Sequence, residues 1–453
     1  MTDHSAELRA IYGGRRWILA NDVLAGATAD VEALTDLGVD DLLVVAGSRG
    51  TGPVPEGVPA RVLGLRAPTM MAAIHAFDHA LESPDDETVR AVVNFDPERR
   101  ARVITPMFSQ VAIAADRRVW GARRASWRAL EDKTIIDALW RAVGVPRATS
   151  TVVPADPGHL HAAAAALDDG AGTVWVADNR RGWHGGASGL RWVRTPSDVD
   201  AAAVAMAERA DAVRVMPFLE GIPCSIHGLV MPDMTLAFRP CEMVVLRRPG
   251  RQDLLYAGMG STWSPTRADR DAMRLYARRV GDHLRAALGY RGAFSIDGVM
   301  TAVGFRPTEL NPRFSAALAM LGASAALPLN LLHLAVVEGV AVRWRDAELE
   351  RTVVAAADRS PAARVHVLVD RAPDQESVAL RRGPDGWRVV EDAPQVTVHG
   401  GPASAGGFVR IEIHRPPAGV SIAPFVCSVL GWIDRSWDLR LGPLVPAEDV
   451  RPA

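Results

Sequence analysis

Short apolar runs alternate with amphipathic stretches in the first part of the chain. Residues 16–20, 41–46 and 62–65 are apolar runs of strand length, and residues 89–95 are rich in valine, so each of these segments predicts a strand. Residues 70–81 place their apolar side chains at helical spacing and predict a helix. This alternation predicts a small open α/β sheet.

The middle of the chain carries the same signals in a different order. Helical spacing predicts a helix over 129–140, which ends before Gly144 and Pro146. Two runs of strand length, 173–177 and 190–193, are joined by a glycine-rich stretch and predict a hairpin. Further strands are predicted at 149–153, 212–221, 224–231, 235–238, 242–246, 293–298 and 307–311, and further helices at 160–167 and 266–288.

The sequence after about residue 351 is rich in turns and predicts one more small α+β unit. We therefore expect four parts: an N-terminal α/β domain, a small lobe with the glycine-rich hairpin, a large lobe, and a C-terminal accessory domain. Their predicted bounds are 1–125, 126–210, 211–350 and 351–453.

Composition narrows the classes of function. The chain has 453 residues, 48% hydrophobic and 23% charged, as expected for a globular protein of several packed units. Its 51 Lys and Arg nearly balance 53 Asp and Glu, which argues against a nucleic-acid binder or a membrane-surface binder. The three cysteines include no C-x-x-C pair, so neither a disulfide framework nor a thiolate zinc site is expected. Without a signal-peptide pattern or a long apolar span, the expected location is the cytoplasm.

Lys133 is the only lysine in the chain, so all other residues in the total of 51 Lys and Arg are arginines. Where arginine has replaced nearly every lysine, a remaining lysine is expected at a site that needs a compact ammonium group, such as a phosphate site. Chance survival of one lysine would give the same composition.

A glycine-rich turn, Gly47–Gly52, follows the strand predicted at 41–46. Its spacing is G-x-x-G-x-G, whereas dinucleotide-binding folds use G-x-G-x-x-G and an acidic residue about 20 positions later. A tight surface turn is therefore the favoured interpretation, and nicotinamide dinucleotide binding is the alternative.

Four polar residues near the end of the large lobe follow a D-x11-E-x-N-x-R pattern: Asp297, Glu309, Asn311 and Arg313. Strand alternation points the last three to one face of a sheet. Two carboxylates and an amide oxygen suit Mg²⁺ better than zinc, and a neighbouring arginine can neutralise charge on a transferred phosphoryl group. A solvated hairpin with a structural Arg–Glu pair explains the pattern equally well.

The order of these motifs resembles the ATP-grasp superfamily over about residues 126–320. The motifs are Lys133, the glycine-rich hairpin, the Pro-Phe-Leu-Glu-Gly turn at 217–221 and the D-x11-E-x-N-x-R ending. The resemblance implies an α/β and α+β multidomain protein in which two α+β lobes hold ATP, with a small open α/β domain before them and a small α+β domain after them. It implies ATP with one or two Mg²⁺ ions, for which Mn²⁺ can substitute, and small-molecule or peptide carboxylate and amine substrates. It is also compatible with a homodimer.

The same resemblance implies roles for individual residues. Lys133 would bind the ATP phosphates, Arg313 would be catalytic, and the metal would be held by Asp297, Glu309 and Asn311. The flap over the phosphates would contain the glycines Gly182, Gly185, Gly186 and Gly189. The nucleotide would also contact Met216, Phe218, Leu219 and Glu220. Further contacts to substrate or phosphate are expected from Arg180, Arg181, His184, Arg239, Glu242 and Tyr256, for which solvent exposure is the alternative.

The sequence departs from the superfamily pattern at three places, one of which is the ribose carboxylate expected after Gly221, for which Glu220 would stand in. Val176–Asp178 stands where members usually carry a second lysine, which Arg180 or Arg181 would replace. Met216 and Pro217 occupy the place of an acidic residue at the start of the adenine hinge. These departures leave open a degenerate nucleotide-binding protein without turnover.

The branch of the superfamily is indicated by the residues around the motifs. Phe-Ser-Ala-Ala-Leu follows Arg313, unlike the Gln-Val-Glu-His of biotin carboxylases, and the Pro-Gly of D-alanine:D-alanine ligases is also missing. The segments 129–134 and 305–313 and the C-terminal extension are most similar to pheganomycin-type peptide ligases of actinobacteria. This implies a ligase that forms an amide or peptide bond through an acyl phosphate, releases ADP and phosphate, and acts in peptide natural-product biosynthesis. A nicotinamide-dependent dehydrogenase built on Gly47–Gly52 is the remaining alternative.

Overall fold

The computed structural model describes residues 4–185, 187, 189–342 and 344–450. Its helices are α1 (His4–Tyr12), α2 (Thr28–Asp36), α3 (Met70–Glu82), α4 (Asp86–Phe95), α5 (Ala125–Arg128), α6 (Ile136–Ala142), α7 (Pro157–Leu167), α8 (Pro196–Ala207), α9 (Arg267–Leu288), α10 (Ala316–Ser324), α11 (Leu329–Glu338), α12 (Asp346–Arg359) and α13 (Ala423–Trp437). Its strands are β1 (Trp17–Val23), β2 (Leu42–Ser48), β3 (Ala60–Val62), β4 (Arg102–Ile104), β5 (Ile113–Ala114), β6 (Arg117–Arg118), β7 (Thr151–Pro154), β8 (Thr173–Ala177), β9 (Leu190–Val193), β10 (Ala212–Pro217), β11 (Ile222–Val230), β12 (Thr235–Ala237), β13 (Cys241–Arg247), β14 (Leu254–Gly260), β15 (Gly292–Thr301), β16 (Gly304–Asn311), β17 (Ala363–Val369), β18 (Ser377–Gly383), β19 (Gly386–Val389), β20 (Val396–Pro402) and β21 (Gly407–Ile413).

The N-terminal sheet has four parallel strands in the order β3-β2-β1-β4. The apolar runs of β1 and β2 are buried on both faces, as expected for strands of a parallel sheet that is covered by helices. The predicted open α/β sheet and the helix predicted over 70–81 are therefore confirmed.

The strand predicted over 89–95 is wrong, because these residues form the helix α4. Asp85 caps the helix by accepting a hydrogen bond from the Thr88 N–H at 2.7 Å. Val92 is buried in the core whereas Val89 and Val93 are exposed, so the valines follow helical spacing. The β-propensity of valine was outweighed here by the cap and by the amphipathic pattern.

The small lobe is an antiparallel sheet in the order β7-β10-β8-β9, with α7 and α8 packed on it. Val176 on β8 pairs with Leu190 on β9, so the predicted hairpin is confirmed.

The helix predicted over 129–140 is interrupted. A 3₁₀ turn, Ala129–Glu131, follows α5, and α6 begins only at Ile136. Between them the Asp132 carboxylate accepts hydrogen bonds from the N–H and the hydroxyl of Thr134, at 2.9 and 2.7 Å. This local side-chain bonding competes with the helix and leaves Lys133 in a loop.

The largest sheet has eleven strands. Ten follow the order β16-β15-β11-β13-β14-β17-β21-β20-β18-β19, and β12 pairs with β11. The predicted long helix is confirmed as α9, which Thr266 caps and Gly289 ends in the left-handed conformation. None of the described helices alone is long and apolar enough to cross a membrane, and α10 and α11 pass that test only together, as a pair bent by 120°.

Gly258 forms the seam between the central strands and the C-terminal strands of this sheet. It pairs with Val365 on β17 at φ +115, and a Cβ there would lie 2.1 Å from the carbonyl oxygen of Arg364. Only glycine permits so close an approach of the two backbones. On one face, Val365 and its neighbours on β17 and β21 pack against α13. The strands after residue 363 thus continue the sheet that carries the central lobe.

Candidate functional site

The hairpin β15–β16 places the predicted metal ligands on one face. Asp297 pairs directly with Glu309, and Ser295 pairs with Asn311. A bulge follows Asp297, and Gly298 lies within it, since a Cβ there would be 2.2 Å from the carbonyl oxygen of Arg306. The bulge therefore depends on glycine and sets the register of the two carboxylates.

Five of the predicted site residues form one connected group. The Lys133 Nζ lies 3.1 Å from Glu309 Oε2. The Asn311 Nδ2 donates to Asp297 Oδ2 at 2.8 Å, and Arg313 Nη2 donates to Asn311 Oδ1 at 3.1 Å. Residues that are far apart in sequence thus meet at one end of the hairpin.

Both carboxylates of this group have perturbed proton affinities. Burial, together with the charge of Glu309, raises the pKa of Asp297 to about 7, although Arg313 opposes the shift. Burial also acts on Glu309, but the charge of Lys133 and the hydrogen bond from Asn311 outweigh it and lower the pKa of Glu309. Two negative charges are therefore unfavourable here without an additional cation.

The donor set fits Mg²⁺. It consists of two carboxylates and one amide oxygen, and hard oxygen ligands with places left for water and phosphate are what Mg²⁺ requires. Within the described residues, no group of three or more His, Cys, Asp and Glu side chains is placed to hold a metal ion.

Arg313 is held by residues that sequence reasoning missed. Its guanidinium carbon lies 4.6 Å from the centroid of the Phe108 ring, and its Nε lies 3.4 Å from Glu131 Oε1. Glu131 also binds Arg123 at 2.6 Å. Phe108 comes from the loop after β4, so no local pattern in sequence connects it to Arg313.

A second group of polar residues lies buried beneath the site. His227 Nε2 is 2.8 Å from the Ser225 hydroxyl, and its Nδ1 is 3.2 Å from the Ser315 hydroxyl. Burial, assisted by Arg313, lowers the pKa of His227 to about 3, so the imidazole is neutral. Ser225 pairs with Asp297, and His227 pairs with Ser295. The signal in sequence was polar alternation within the otherwise apolar strand β11.

A cleft of about 830 Å³, including its open mouth, lies between the two lobes beside this group. Lys133 and Glu309 stand in its wall, and the rest of the wall is mostly apolar. Its apolar lining includes Val174, Val176, Leu190, Met216, Phe218, Leu219, Met243, Val245 and Leu254. A mostly apolar cleft with a few convergent polar groups is typical of a small-molecule site.

Aromatic and charged side chains order the edge of the cleft. The Phe218 ring stacks on Trp192 with centroids 4.2 Å apart, and the Arg247 guanidinium lies 5.1 Å from the Phe218 centroid. Arg247 is also paired with Glu220. The predicted hinge residues Met216, Phe218 and Leu219 thus line the cleft, while the Glu220 carboxylate is engaged by an arginine.

The region of the absent second lysine contains structural ion pairs. Asp178 is buried and accepts the backbone N–H of Ala212 at 3.0 Å. Arg180 Nε lies 3.5 Å from Asp178, and Arg181 Nε lies 2.7 Å from Asp211. Both arginines bind carboxylates beside the flap, and the β8 side chains that line the cleft are Val174 and Val176.

The flap leans on the N-terminal part of the protein. The Trp183 ring packs on Phe108 with centroids 5.6 Å apart, and a Cβ at Gly185 would meet Trp183 at 2.6 Å. Gly182 has φ +133, and a Cβ at Gly189 would touch His184 at 3.0 Å. Gly186, also predicted in the flap, lies outside the described residues.

His184 lies within the flap, and its side chain is partly buried. Burial lowers its pKa, with a smaller contribution from the charge of Lys133. Its Nε2 is buried and, among the described residues, has no hydrogen-bond partner. The imidazole is thus close enough to Lys133 to sense its charge.

The structure places Arg239 and Glu242 outside this group. Arg239 is buried and donates to the Ser261 carbonyl at 2.8 Å and to Asp358 at 2.5 Å. Glu242 accepts hydrogen bonds from the N–H groups of Ile422 and Ala423 at the start of α13, at 2.8 and 3.2 Å. These contacts hold structural elements together. Tyr256 shares the face of Val245, its partner in pairing, which lines the cleft.

Comparisons of sequence identify no relative, since no protein-family model and no curated protein matches the chain. Solved structures do match. N5-carboxyaminoimidazole synthase from Aspergillus clavatus, in complex with ADP and 5-aminoimidazole ribonucleotide, has a TM-score of 0.53 at 12% identity, covering 93% of this chain and 98% of that one.

Two carboxylase structures match as well. The biotin carboxylase domain of 2-oxoglutarate carboxylase from Hydrogenobacter thermophilus, with MgADP, ADP and bicarbonate, has a TM-score of 0.55 at 10% identity, covering 96% and 92% of the two chains. Pyruvate carboxylase from Rhizobium etli has a TM-score of 0.56 at 17% identity over 95% of this chain but only 38% of its own. Structural similarity at these low sequence identities establishes the fold alone. The chain has the ATP-grasp fold.

Proposed function

We propose that the protein is an ATP-dependent carboxylate–amine ligase. The observation that carries the proposal is the contact of its only lysine, Lys133, with Glu309 at 3.1 Å, at the end of an apolar cleft and beside Asp297, Asn311 and Arg313. This arrangement offers a phosphate cation, a set of oxygen ligands and a second cation within one site.

The cleft suits a nucleotide. An adenine ring fits between the segment 216–219 and the apolar side chains of Met243, Val245 and Leu254, while the phosphates extend toward Lys133. Solved structures of the same fold from Aspergillus clavatus and Hydrogenobacter thermophilus contain ADP. The flap would cover the phosphates with backbone N–H groups, which glycines leave accessible.

Asp297, Glu309 and Asn311 would hold one or two Mg²⁺ ions. When bound, those ions would supply positive charge that offsets the negative charge of the phosphates. Lys133 would leave its ion pair with Glu309 to contact the phosphates, and Glu309 would then be available as a metal ligand. Arg313, held by Phe108 and Glu131, would keep its guanidinium at the boundary between nucleotide and substrate.

The first proposed step is an in-line attack of a substrate carboxylate oxygen on the γ-phosphorus of ATP. An O–P bond forms, the bond to the β–γ bridging oxygen breaks, and ADP leaves. In the second step an amine attacks the carbonyl carbon of the acyl phosphate, a C–N bond forms, the C–O bond to phosphate breaks, and the amine loses a proton. Arg313 would stabilise the oxyanion, and the flap would exclude water that hydrolyses the acyl phosphate.

The finer proposal is a peptide substrate and a role in peptide natural-product biosynthesis. It is supported by the similarity of residues 129–134 and 305–313 to pheganomycin-type peptide ligases.

Calorimetric titration of a non-hydrolysable ATP analogue, with and without Mg²⁺, tests the proposal. We expect Mg²⁺-dependent binding that Lys133→Ala and Glu309→Gln each weaken at least tenfold. Arg267→Ala, at a fully exposed position on α9, is the control and should bind like the wild type. Absence of binding to the wild type would contradict the nucleotide site.

Turnover is tested by ADP release over a panel of acid and amine pairs. Release that requires both an acid and an amine supports the ligase. Tight, Mg²⁺-dependent binding without ADP release for every pair would instead favour the nucleotide-binding protein without turnover, for which Val176 in place of the usual lysine is the motivating feature.

A further inference from the structure

The sheet face that lines the cleft continues onto the C-terminal strands. Met243 lines the cleft on β13 and pairs with Met259 on β14. Met259 pairs in turn with Arg364 on β17. Side chains of directly paired residues lie on the same face of a sheet, whereas Val365 points to the opposite face and packs against α13. Arg364 therefore shares the face that carries the proposed active site.

Three basic side chains stand on this continuation, and we call them the C-terminal cationic surface: Arg364, His366 and Arg410. His366 pairs directly with Arg410 across β17 and β21. All three side chains are exposed. Within the described part of the chain, neither Arg364 nor Arg410 forms an ion pair.

Two acidic residues lie near the surface. Burial and Arg410 lower the pKa of the Arg364 guanidinium, whereas the carboxylate of Asp30, on α2, raises it. The same carboxylate accepts a hydrogen bond from Asn330 at 2.6 Å. Glu412, two residues after Arg410, lies 3.4 Å from His399. Burial and the charge of Arg410 lower the pKa of His366, so the positive charge of the surface comes from Arg364 and Arg410, and an anion beside these two guanidinium groups would compensate it.

The glycine-rich turn Gly47–Gly52 forms a wall beside this surface. Thr51 packs against Gly401 on β20, where a Cβ would lie 2.0 Å from the Thr51 hydroxyl oxygen. Gly401 lies two residues after His399, the residue that pairs with Arg410. The turn thus contacts the C-terminal strands next to the cationic surface, which explains why residues with small side chains are required there.

Tyr256 connects the surface to the catalytic group. Its ring meets the His366 ring edge-on, with centroids 6.4 Å apart. Burial raises the pKa of Tyr256, and the charges of Asp297 and Arg313 also act on it. Four strand spacings separate Asp297 on β15 from Arg364 on β17, which is about 19 Å along the sheet.

We propose that Arg364, His366 and Arg410 bind the terminal carboxylate of the amine substrate while its amine lies at Arg313. This rests on the proposed ligase function and adds a recognition site to it. The span starts at Asp297, which Asn311 links to Arg313, and about 19 Å, less the reach of an arginine side chain, is covered by about four extended residues at about 3.3 Å each. The amine substrate is then a short peptide with a free C-terminal carboxylate.

The experiment uses the full chain with a saturating non-hydrolysable ATP analogue. The probe is a library of random tetrapeptides with free C-terminal carboxylates, and the matched probe is the same library with C-terminal amides. Peptide retained with the protein is measured by mass spectrometry for the wild type, Arg364→Gln, Arg410→Gln, and the exposed control Arg388→Gln on β19. Inorganic phosphate is added as a competitor in a separate arm.

We expect the wild type and Arg388→Gln to retain the free-carboxylate library at least tenfold better than the amidated one. Arg364→Gln and Arg410→Gln should lose that preference while binding the ATP analogue like the wild type. Equal retention of both libraries by the wild type, or an unchanged preference in both variants, would overturn the proposal. Binding of phosphate with no preference for the peptide carboxylate would also overturn it and point to a phosphorylated substrate. Because nucleotide binding is measured separately, none of these results depends on the failure of the ATP site.

Discussion

Glu242 on β13 offers a test of how burial controls stability in this fold. Its side chain is 1% exposed, and its carboxylate accepts hydrogen bonds from the Ser421 hydroxyl, Ile422 N–H and Ala423 N–H at 2.7, 2.8 and 3.2 Å. It thereby caps α13 from another part of the chain. Burial raises the pKa of Glu242 from its ordinary value of 4.5 to about 7, although these hydrogen bonds oppose the shift.

The magnitude follows from this rise. At about 1.4 kcal/mol for each tenfold change in proton affinity, it corresponds to about 3 kcal/mol. The folded protein holds the proton more tightly than the unfolded chain, so this contribution to stability is fully present below pH 4.5. It is lost as the pH rises toward about 7, where the folded protein also releases the proton.

Glu242→Gln removes the titration while keeping the size of the side chain. Urea unfolding of the wild type and this variant, measured between about pH 4.5 and pH 8, should show the stability of the wild type relative to the variant decreasing by about 3 kcal/mol. The control Glu391→Gln changes an exposed carboxylate and should leave the pH profile unchanged. Parallel profiles for the wild type and Glu242→Gln would refute the reasoning.

Two further substitutions test other parts of the site. Gly298→Ala places a Cβ 2.2 Å from the Arg306 carbonyl oxygen, so we expect a lower melting temperature and weaker Mg²⁺-dependent binding of the ATP analogue. The control is Gly383→Ala, where the closest atom to the added Cβ is 3.7 Å away. Equal melting temperatures and equal binding for the two variants would contradict this explanation. Arg214→Met removes a buried guanidinium that binds Asp137 at 2.7 Å and the Thr308 carbonyl at 3.0 Å, and should cost about 3–5 kcal/mol in urea unfolding, whereas a loss below about 1 kcal/mol would show that this link between the lobes is dispensable.

Several parts of the fold were predictable because their signals are local. The hairpin β8–β9 follows from two apolar runs around glycines, and α9 follows from helical spacing between a threonine cap and Gly289. Strand alternation placed Glu309 and Asn311 on one face, and the register of β15 and β16 then brings Asp297 opposite Glu309. For these residues, the local pattern and the long-range packing agree.

The parts that were missed depend on contacts between distant segments. Phe108 and Glu131 position Arg313 from two different elements, and their own surroundings in sequence resemble those of ordinary loop and helix residues. The resemblance to the superfamily suggested a substrate contact for Glu242, yet only the position of α13 explains why that carboxylate is buried. The valines of α4 have a strong β-propensity. They form a helix because Asp85 caps its N-terminus and because the face that carries Val92 packs against the core.

The seam at Gly258 has a consequence for dissecting this protein into pieces. A fragment cut after α12 would keep Lys133 and all of the proposed metal ligands, but it would strip β17 from β14 and leave a row of unpaired backbone groups along that edge. Val244, Leu246 and Leu255 would lose the cover of α13 at the same time. An open, apolar edge of this kind recruits other chains, so such a fragment would self-associate instead of reporting on catalysis. Residue 351, the bound that the sequence predicts for the C-terminal domain, lies within α12, and β17 continues the sheet beyond it.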